Sequence, residues 1–232
     1  MGRHRLARAC DNNATQKIFI KTARIESLPS RIRVSLGLRR RSGIYDWPLA
    51  ELHNNVNARL RTDLIPNLIG YGFKHRLGLV DEVFLAYEHL EGHMHGLEWV
   101  RRHKEKVADL VRAALNLISN LNHQGIYHLD LWAANIMLRP DGLDGLKAID
   151  LENCFIGTTP HHSETLGFQY GFLYQYALNE YITEEEFDAL VANHLMEREY
   201  DIDQLRFLPF YDRFKTYGQT AKIAISFRSL VC

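Results

Sequence analysis

Apolar and polar residues alternate along Lys17-Ile-Phe-Ile-Lys21, which predicts a half-buried strand over 17–22. A shorter strand over 4–9 precedes it, across the turn-rich Cys10-Asp-Asn-Asn-Ala14. Residues 24–45 read as an Arg-rich connection punctuated by Gly37 and Gly43. The period then changes. Leu49, Leu52, Val56 and Leu60 fall along one face of a helix that starts after Asp46, with Asp46 as cap and Pro48 in the first turn. Segments 68–74 and 82–88 read as strands, and Glu91-Gly92 breaks the chain. These elements predict a small lobe of strands plus one helix over residues 1–90.

The remainder, 91–232, reads as mostly helical. One long amphipathic pattern covers 97–123, with Val107, Leu110, Val111, Leu115, Leu117, Ile118 and Leu121, and stops near Gly125. Two short apolar segments follow, Asn135-Ile-Met-Leu138 and Leu146-Lys-Ala-Ile149, separated by the turn Pro140-Asp-Gly142. Helical patterns return over 164–179 and 183–198. Thr183 and Glu186 have the spacing of a capping box, in which each side chain satisfies the other's backbone N–H. The tail, 201–230, predicts one or two further helices.

Composition narrows the class. A chain of 232 residues with 46% hydrophobic and 24% charged residues has enough apolar material for one large domain or two small lobes. No apolar run reaches the roughly 20 residues a membrane-spanning helix needs, and Met1–Asn13 has no secretory apolar stretch. Cys10, Cys154 and Cys232 are odd in number and widely spaced, which argues against a disulfide framework or zinc site and for a cytoplasmic protein. The zero net charge hides an asymmetry. Eleven Lys or Arg stand in residues 1–43 against Asp11 and Glu26, and the rest of the chain is acidic. Such a basic end suits anionic phosphates or a lipid surface, or else is a solvated loop and strand face. On an otherwise acidic chain it is a poor footprint for nucleic acid.

The chemistry-bearing stretch is Gly125 to Asn153, GIYHLDLWAANIMLRPDGLDGLKAIDLEN. It sets Asp130 in a loop, Asn135 just before an apolar strand, and Asp150 at the end of the returning strand. Phosphoryl transfer asks a protein for little beyond these groups. One carboxylate must orient the attacking hydroxyl and accept its proton, and oxygen ligands must hold Mg²⁺ against the phosphates.

His128-Leu-Asp130-Leu-x-x-x-Asn135 resembles the protein-kinase catalytic loop H-R-D-L-x-x-x-N, with Leu129 where Arg is usual. Ile149-Asp-Leu-Glu152 stands where D-F-G would be, and looks like the I-D-F-[DE] of bacterial small-molecule and glycolipid kinases. The resemblance implies an α+β, two-lobed protein-kinase-like fold that uses ATP and Mg²⁺. In it Asp130 is the base, His128 the anchor of the catalytic loop, and Asn135 and Asp150 the metal ligands. Lys21, ending its apolar strand, stands as the phosphate-contacting lysine and Glu51 as its partner in the first turn of the following helix. Lys17 and Glu26 are the fallback pair. Tyr87-Glu88-His89-Leu90 falls at the adenine-binding hinge, where the backbone of Glu88 and Leu90 does the binding.

The departures also inform. No G-x-G-x-x-G precedes Lys21, so the triphosphate is held by a shorter turn such as Asp11-Asn-Asn13, or the start of the chain is truncated. No A-P-E follows Asp150. That absence, with Leu129, argues against a protein substrate. F-I-K, an Arg-rich link, A-E-L-x-N, Leu64-Ile-Pro66, Y-E-x-L-E-G and G-I-Y-H-x-D-L together resemble the bacterial lipopolysaccharide core kinases, which phosphorylate heptose or Kdo sugars. That resemblance covers residues 17–180. It implies a cytoplasmic enzyme at the inner face of the inner membrane, with a lipopolysaccharide core sugar as acceptor and the basic stretch near lipid. A soluble aminoglycoside or fructosamine phosphotransferase is the alternative, because H-x-D-L-W also suits those families. A non-catalytic scaffold is a third reading, made possible by the missing Gly-rich loop.

Other features read as structural. His93, His95, His161 and His162 lack a third ligand at metal spacing. Phe168, Tyr170, Phe172, Tyr174 and Tyr176 supply packing bulk or a sugar platform. Glu152 helps with Mg²⁺ or forms a salt bridge. Trp132 contacts substrate or caps a core.

Overall fold

The computed structural model describes residues 5–11, with backbone only, together with 17–198 and 202–216. The chain divides into two compact units, Met1–Glu91 and Gly92–Cys232.

In the first unit the elements are β1 (Arg5–Asp11), β2 (Lys17–Arg24), α1 (Leu28–Ser35), α2 (Trp47–Arg59), β3 (Leu68–Arg76) and β4 (Leu79–Glu88). Among the described residues the strands form an antiparallel sheet in the order β1-β2-β4-β3. The register sets Lys21 opposite Leu85 and Phe19 opposite Tyr87. Val83, Leu85 and Tyr87 form one apolar face with Ala23, Ile25 and Val34, and Trp47, Leu49 and Leu52 pack on it.

Three expectations fail in this unit, for a common reason. The connection 24–45 contains helix α1, opened by Ser27, whose side chain accepts from the Ser30 N–H, with Pro29 in the first turn. In α2 the inward face holds Ala50, Glu51, Asn54, Asn55 and Ala58, while Val56 and Leu60 are exposed. Asp46 does not cap α2 with its side chain. It accepts instead from Arg33 at 2.7 Å, from Arg40 at 2.9 Å and from the Ser30 hydroxyl at 3.1 Å. Burial would raise the Asp46 carboxyl, yet these partners hold it below the usual carboxylate range. Polar side chains face inward on both helices, so hydropathy period misreads them.

The second unit begins with β5 (Met94–His95) and α3 (Gly96–Arg102). A short 3-10 turn over Lys104–Lys106 separates α3 from α4 (Val107–His123). The long pattern over 97–123 is therefore two helices, broken at His103, whose φ of −133° and ψ of 58° are not helical. Sequence misses the break because Arg101 to Lys106 are all polar, and most favour helix. Helix α4 turns Leu110, Val111, Ala114, Leu115, Leu117, Ile118 and Leu121 to the core. It ends before Gly125, which takes φ +69° and turns the chain into the next strand.

There follow β6 (Ile126–His128), β7 (Ile136–Arg139), β8 (Gly142–Ala148) and β9 (Cys154–Ile156). Among the described residues β5, β7 and β8 pair in that order, and β6 pairs with β9. Helices α5 (His162–Gln175), α6 (Glu184–Glu197) and α7 (Gln204–Thr216) complete the unit. The capping box expected at Thr183 and Glu186 is present. Helix α5 is buried almost all round, because Gly167 and Gly171 admit the backbone of α7. A Cβ on Gly171 would stand 2.5 Å from the Tyr211 carbonyl oxygen. Tail helices expected beyond 216 lie outside the described residues. No helix among the described residues is long and apolar enough to cross a membrane.

Candidate functional site

Strand β6 ends at His128, and the chain then loops through Asp130 to a 3-10 turn ending at Asn135. Strands β7 and β8 carry it out and back to Asp150. Four hydrogen bonds close this circuit. His128 Nε2 lies 2.9 Å from the Ile149 carbonyl oxygen, and the Asp130 N–H donates to His128 Nδ1 at 3.2 Å. Asn135 Nδ2 donates to the Asp130 carbonyl at 2.8 Å, and the Ile149 N–H donates to the Asn135 carbonyl at 2.9 Å. Asp130, Asn135 and the residue before Asp150 are thus fixed to one another within a single unit.

The two partners of His128 settle its tautomer. A carbonyl at Nε2 requires a proton there, and a donor at Nδ1 requires a lone pair, so the ring is neutral. Burial holds this imidazole below its usual pKa of 6.5, although the Ile149 carbonyl and Asp150 both favour the proton. His128 is therefore a neutral hydrogen-bonding link between the loop and Ile149. Its own carbonyl accepts from Gln169 Nε2 on α5 at 3.3 Å, and the side-chain amides of Gln169 and Asn122 on α4 donate hydrogen bonds to each other. Leu129 is buried in a cluster with Phe168, Phe172 and Phe214, against which Trp132 packs. The unusual residue of the motif is thus an apolar plug. Asp130 is half-buried, and Asn153 Nδ2 stands 3.4 Å from its Oδ2.

Asp150 takes a left-handed backbone, φ 66°, at the start of a 3-10 turn over Leu151–Asn153. One carboxylate oxygen of Asp150 and one of the buried Glu152 come within 4.8 Å of each other. The Asn135 amide adds an oxygen whose partner nitrogen is already turned to the Asp130 carbonyl. An all-oxygen set with two neighbouring carboxylates fits a hard divalent cation, which offsets their mutual repulsion.

In the N-terminal unit Lys21 Nζ lies 2.6 Å from Glu51 Oε1, and the same oxygen accepts from the Tyr87 hydroxyl at 3.1 Å. Asn55 Nδ2 reaches both the Glu51 carbonyl and the Tyr87 hydroxyl oxygen. Lys21 and Glu51 are therefore brought together, with Glu51 only 2% exposed. Glu51 sits in the second turn of α2, one helix later in the chain than expected, because α1 intervenes. The fallback Lys17 pairs elsewhere, with Glu91 at 2.7 Å. At the expected hinge the Glu88 N–H is taken by the Asn67 carbonyl at 2.9 Å, and the Glu88 carboxylate accepts from Asn67 at 2.8 Å. A turn from His89 to Glu91 carries Leu90. Most of the Asp11-Asn-Asn13 turn lies outside the described residues.

Tyr87, Asn153 and Gln169 are contributions that motif reading missed. Asn153 follows Ile149-Asp-Leu-Glu152 directly, so its nearness to the loop was the available signal. Gln169 and Tyr87 act only through tertiary contact. Of the aromatic series, Phe168, Tyr170, Phe172 and Tyr174 on α5 are buried, and Tyr176, just past its end, is more open.

No protein-family model and no curated protein matches the chain. Among solved structures it is similar to one described as WaaP in complex with acyl carrier protein, with a TM-score of 0.53 and 19% identity. The match covers 91% of this chain and 83% of that one. The likeness, together with the strand-rich first unit and helical second unit, shows an α+β protein-kinase-like fold shared with WaaP.

Proposed function

We propose that the protein is an ATP-dependent phosphotransferase acting on a sugar hydroxyl of lipopolysaccharide core. The observation that carries this reading is the hydrogen-bonded circuit through His128, Asp130, Asn135 and Ile149. It presents a carboxylate and an oxygen-ligand set from adjoining loops. The fold likeness to WaaP, a lipopolysaccharide core heptose kinase, supports the choice of acceptor.

In this reading Asp130 accepts the proton of the acceptor hydroxyl as its oxygen bonds to the γ-phosphorus of ATP. The bond from that phosphorus to the bridging oxygen breaks, and ADP leaves. His128 and Asn135 keep the Asp130 backbone in place, so the carboxylate is oriented before substrate arrives. Asn153 biases which Asp130 oxygen faces the hydroxyl. Lys21, held by Glu51, neutralises phosphate charge, and Leu90 offers its backbone to adenine. Asp150 and Asn135, with Glu152 beside them, would hold Mg²⁺, which when bound neutralises the phosphate oxygens.

The test is to incubate the chain with Mg²⁺ and labelled ATP, with core glycolipid or with a panel of soluble sugars and amines. Label should enter the glycolipid. Asp130→Ala should lower turnover by on the order of a hundredfold or more while the protein stays folded. Label entering only the soluble panel would replace the acceptor with a small molecule, and full activity without Asp130 would remove the mechanism.

A further inference from the structure

Helix α1 is built inside out. Its polar side chains serve the N-terminal unit. Arg31 pairs with Asp81 and donates through Nε to the Ile25 carbonyl at 2.8 Å. Ser30 and Arg33 both reach Asp46, and the Ser35 hydroxyl accepts from the Val80 N–H at 2.8 Å. Of the aliphatic residues in α1, only Val34 is buried. Leu28, Ile32 and Leu36, spaced four residues apart, are 60%, 40% and 65% exposed, and Leu38 just beyond is 48% exposed. A surface helix ordinarily does the reverse, turning its apolar stripe to the core and its charges to water. Here ion pairs hold four aliphatic side chains outward.

The segment itself is basic, with Glu26 and Asp46 at its borders. Residues 27–45 contain five arginines and no acid. Arg31, Arg33 and Arg40 are taken by Asp81 and Asp46. Arg39 and Arg41 follow the exposed leucines on the surface, with Arg39 lying 5.0 Å over the Tyr45 ring.

We propose that α1 and the segment Leu36–Arg41 form a peripheral anchor on an anionic lipid bilayer. Leu28, Ile32, Leu36 and Leu38 enter the boundary between headgroups and acyl chains, and Arg39 and Arg41 bind lipid phosphates. A helix with aliphatic residues outward and cations beside them has the composition of an interfacial element. An anionic leaflet supplies both partners at once, an apolar layer and a sheet of negative charge. The ridge is one helix wide, which a fluid surface accommodates without a shaped groove. This inference rests on α1 and its neighbours, and stands or falls apart from the phosphotransferase reading.

The experiment is co-sedimentation of the full chain with phosphatidylcholine vesicles, with and without phosphatidylglycerol. The chain should bind the anionic vesicles, and salt should weaken binding. Replacing Leu28, Ile32, Leu36 and Leu38 together by Ser should weaken binding on the order of a hundredfold, since each loses part of a buried aliphatic contact. Arg39→Gln with Arg41→Gln should weaken it about 25-fold, roughly fivefold per charge near the surface. If the Ser variant fails to fold, Ile32→Trp supplies an independent readout. Its fluorescence should shift to the blue and be quenched by brominated acyl chains beyond the quenching of the parent chain. No binding to anionic vesicles at low salt, undiminished binding by a folded Ser variant, or an unquenched Trp would each overturn the proposal. Self-association of the parent chain without vesicle binding, abolished by the same Ser substitutions, would overturn it in favour of a protein partner.

Discussion

Glu51 in the N-terminal unit is held by charge, whereas Asp130 in the C-terminal unit is held by neutral bonds to its backbone. Around Glu51 a lysine, a tyrosine hydroxyl and an asparagine converge in a largely buried place. Around Asp130 a neutral imidazole and an amide fix the peptide, and Asn153 Nδ2 stands 3.4 Å from the carboxylate. The first arrangement secures a charged side chain by neutralising it. The second secures the acid through its backbone. A buried ion pair and a backbone-held loop are two ways of placing an acid, and each unit uses one of them.

The largest way to break this contrast is Lys21→Met, which leaves the buried Glu51 carboxylate without its cation. It should cost about 3–5 kcal/mol in denaturant unfolding. The double change with Glu51→Gln should recover much of that, because no buried charge then remains. Recovery of nothing would mean that packing of the lysine stem, and not charge, holds α2 against β2.

Next in size is His128→Leu, which removes two hydrogen bonds worth together about 2 kcal/mol and should lower activity with them. The same residue gives a pH signature. Its folded pKa is depressed, so the unfolded chain binds the proton more readily below pH 6.5. The contribution of His128 is fully present above 6.5 and declines as pH falls toward the folded value. His194, buried against Ser119 and Tyr170 and depressed by burial to about 4, adds a loss of the same sign between 6.5 and 4. Unfolding curves of the parent, of His128→Leu and of His194→Gln across that window separate the two.

The smallest effect sharpens the comparison most. Asn153→Ala should change stability by less than about 1 kcal/mol, given its long contact. Turnover should fall with little change in KM for ATP, since the carboxylate loses its bias but the loop keeps its shape. An unchanged turnover would reduce Asn153 to packing.

Sequence legibility followed the same divide. The circuit through Asp130 was readable because its parts are local, and its strands β7 and β8 alternate with the turn between them. The capping box at Thr183 was readable because it spans four residues. What sequence hid were helix α1 and the inward face of α2, where Arg31, Arg33, Glu51, Asn54 and Asn55 turn to polar partners or the core. Hydropathy period assumes that apolar residues face the core, and here electrostatic partners outweigh that rule. The break at His103 was hidden for a different reason, since a run of polar residues looks the same in a helix as in a turn.

The left-handed backbone of Asp150 carries a consequence for how this protein can change. An aspartate tolerates that conformation at an energetic disadvantage that glycine would not have. Asp150→Gly should therefore yield a chain at least as resistant to unfolding, yet without the carboxylate proposed to hold Mg²⁺. A screen that rewards robustness alone would drift toward that glycine, so a retained aspartate would speak for the proposed role.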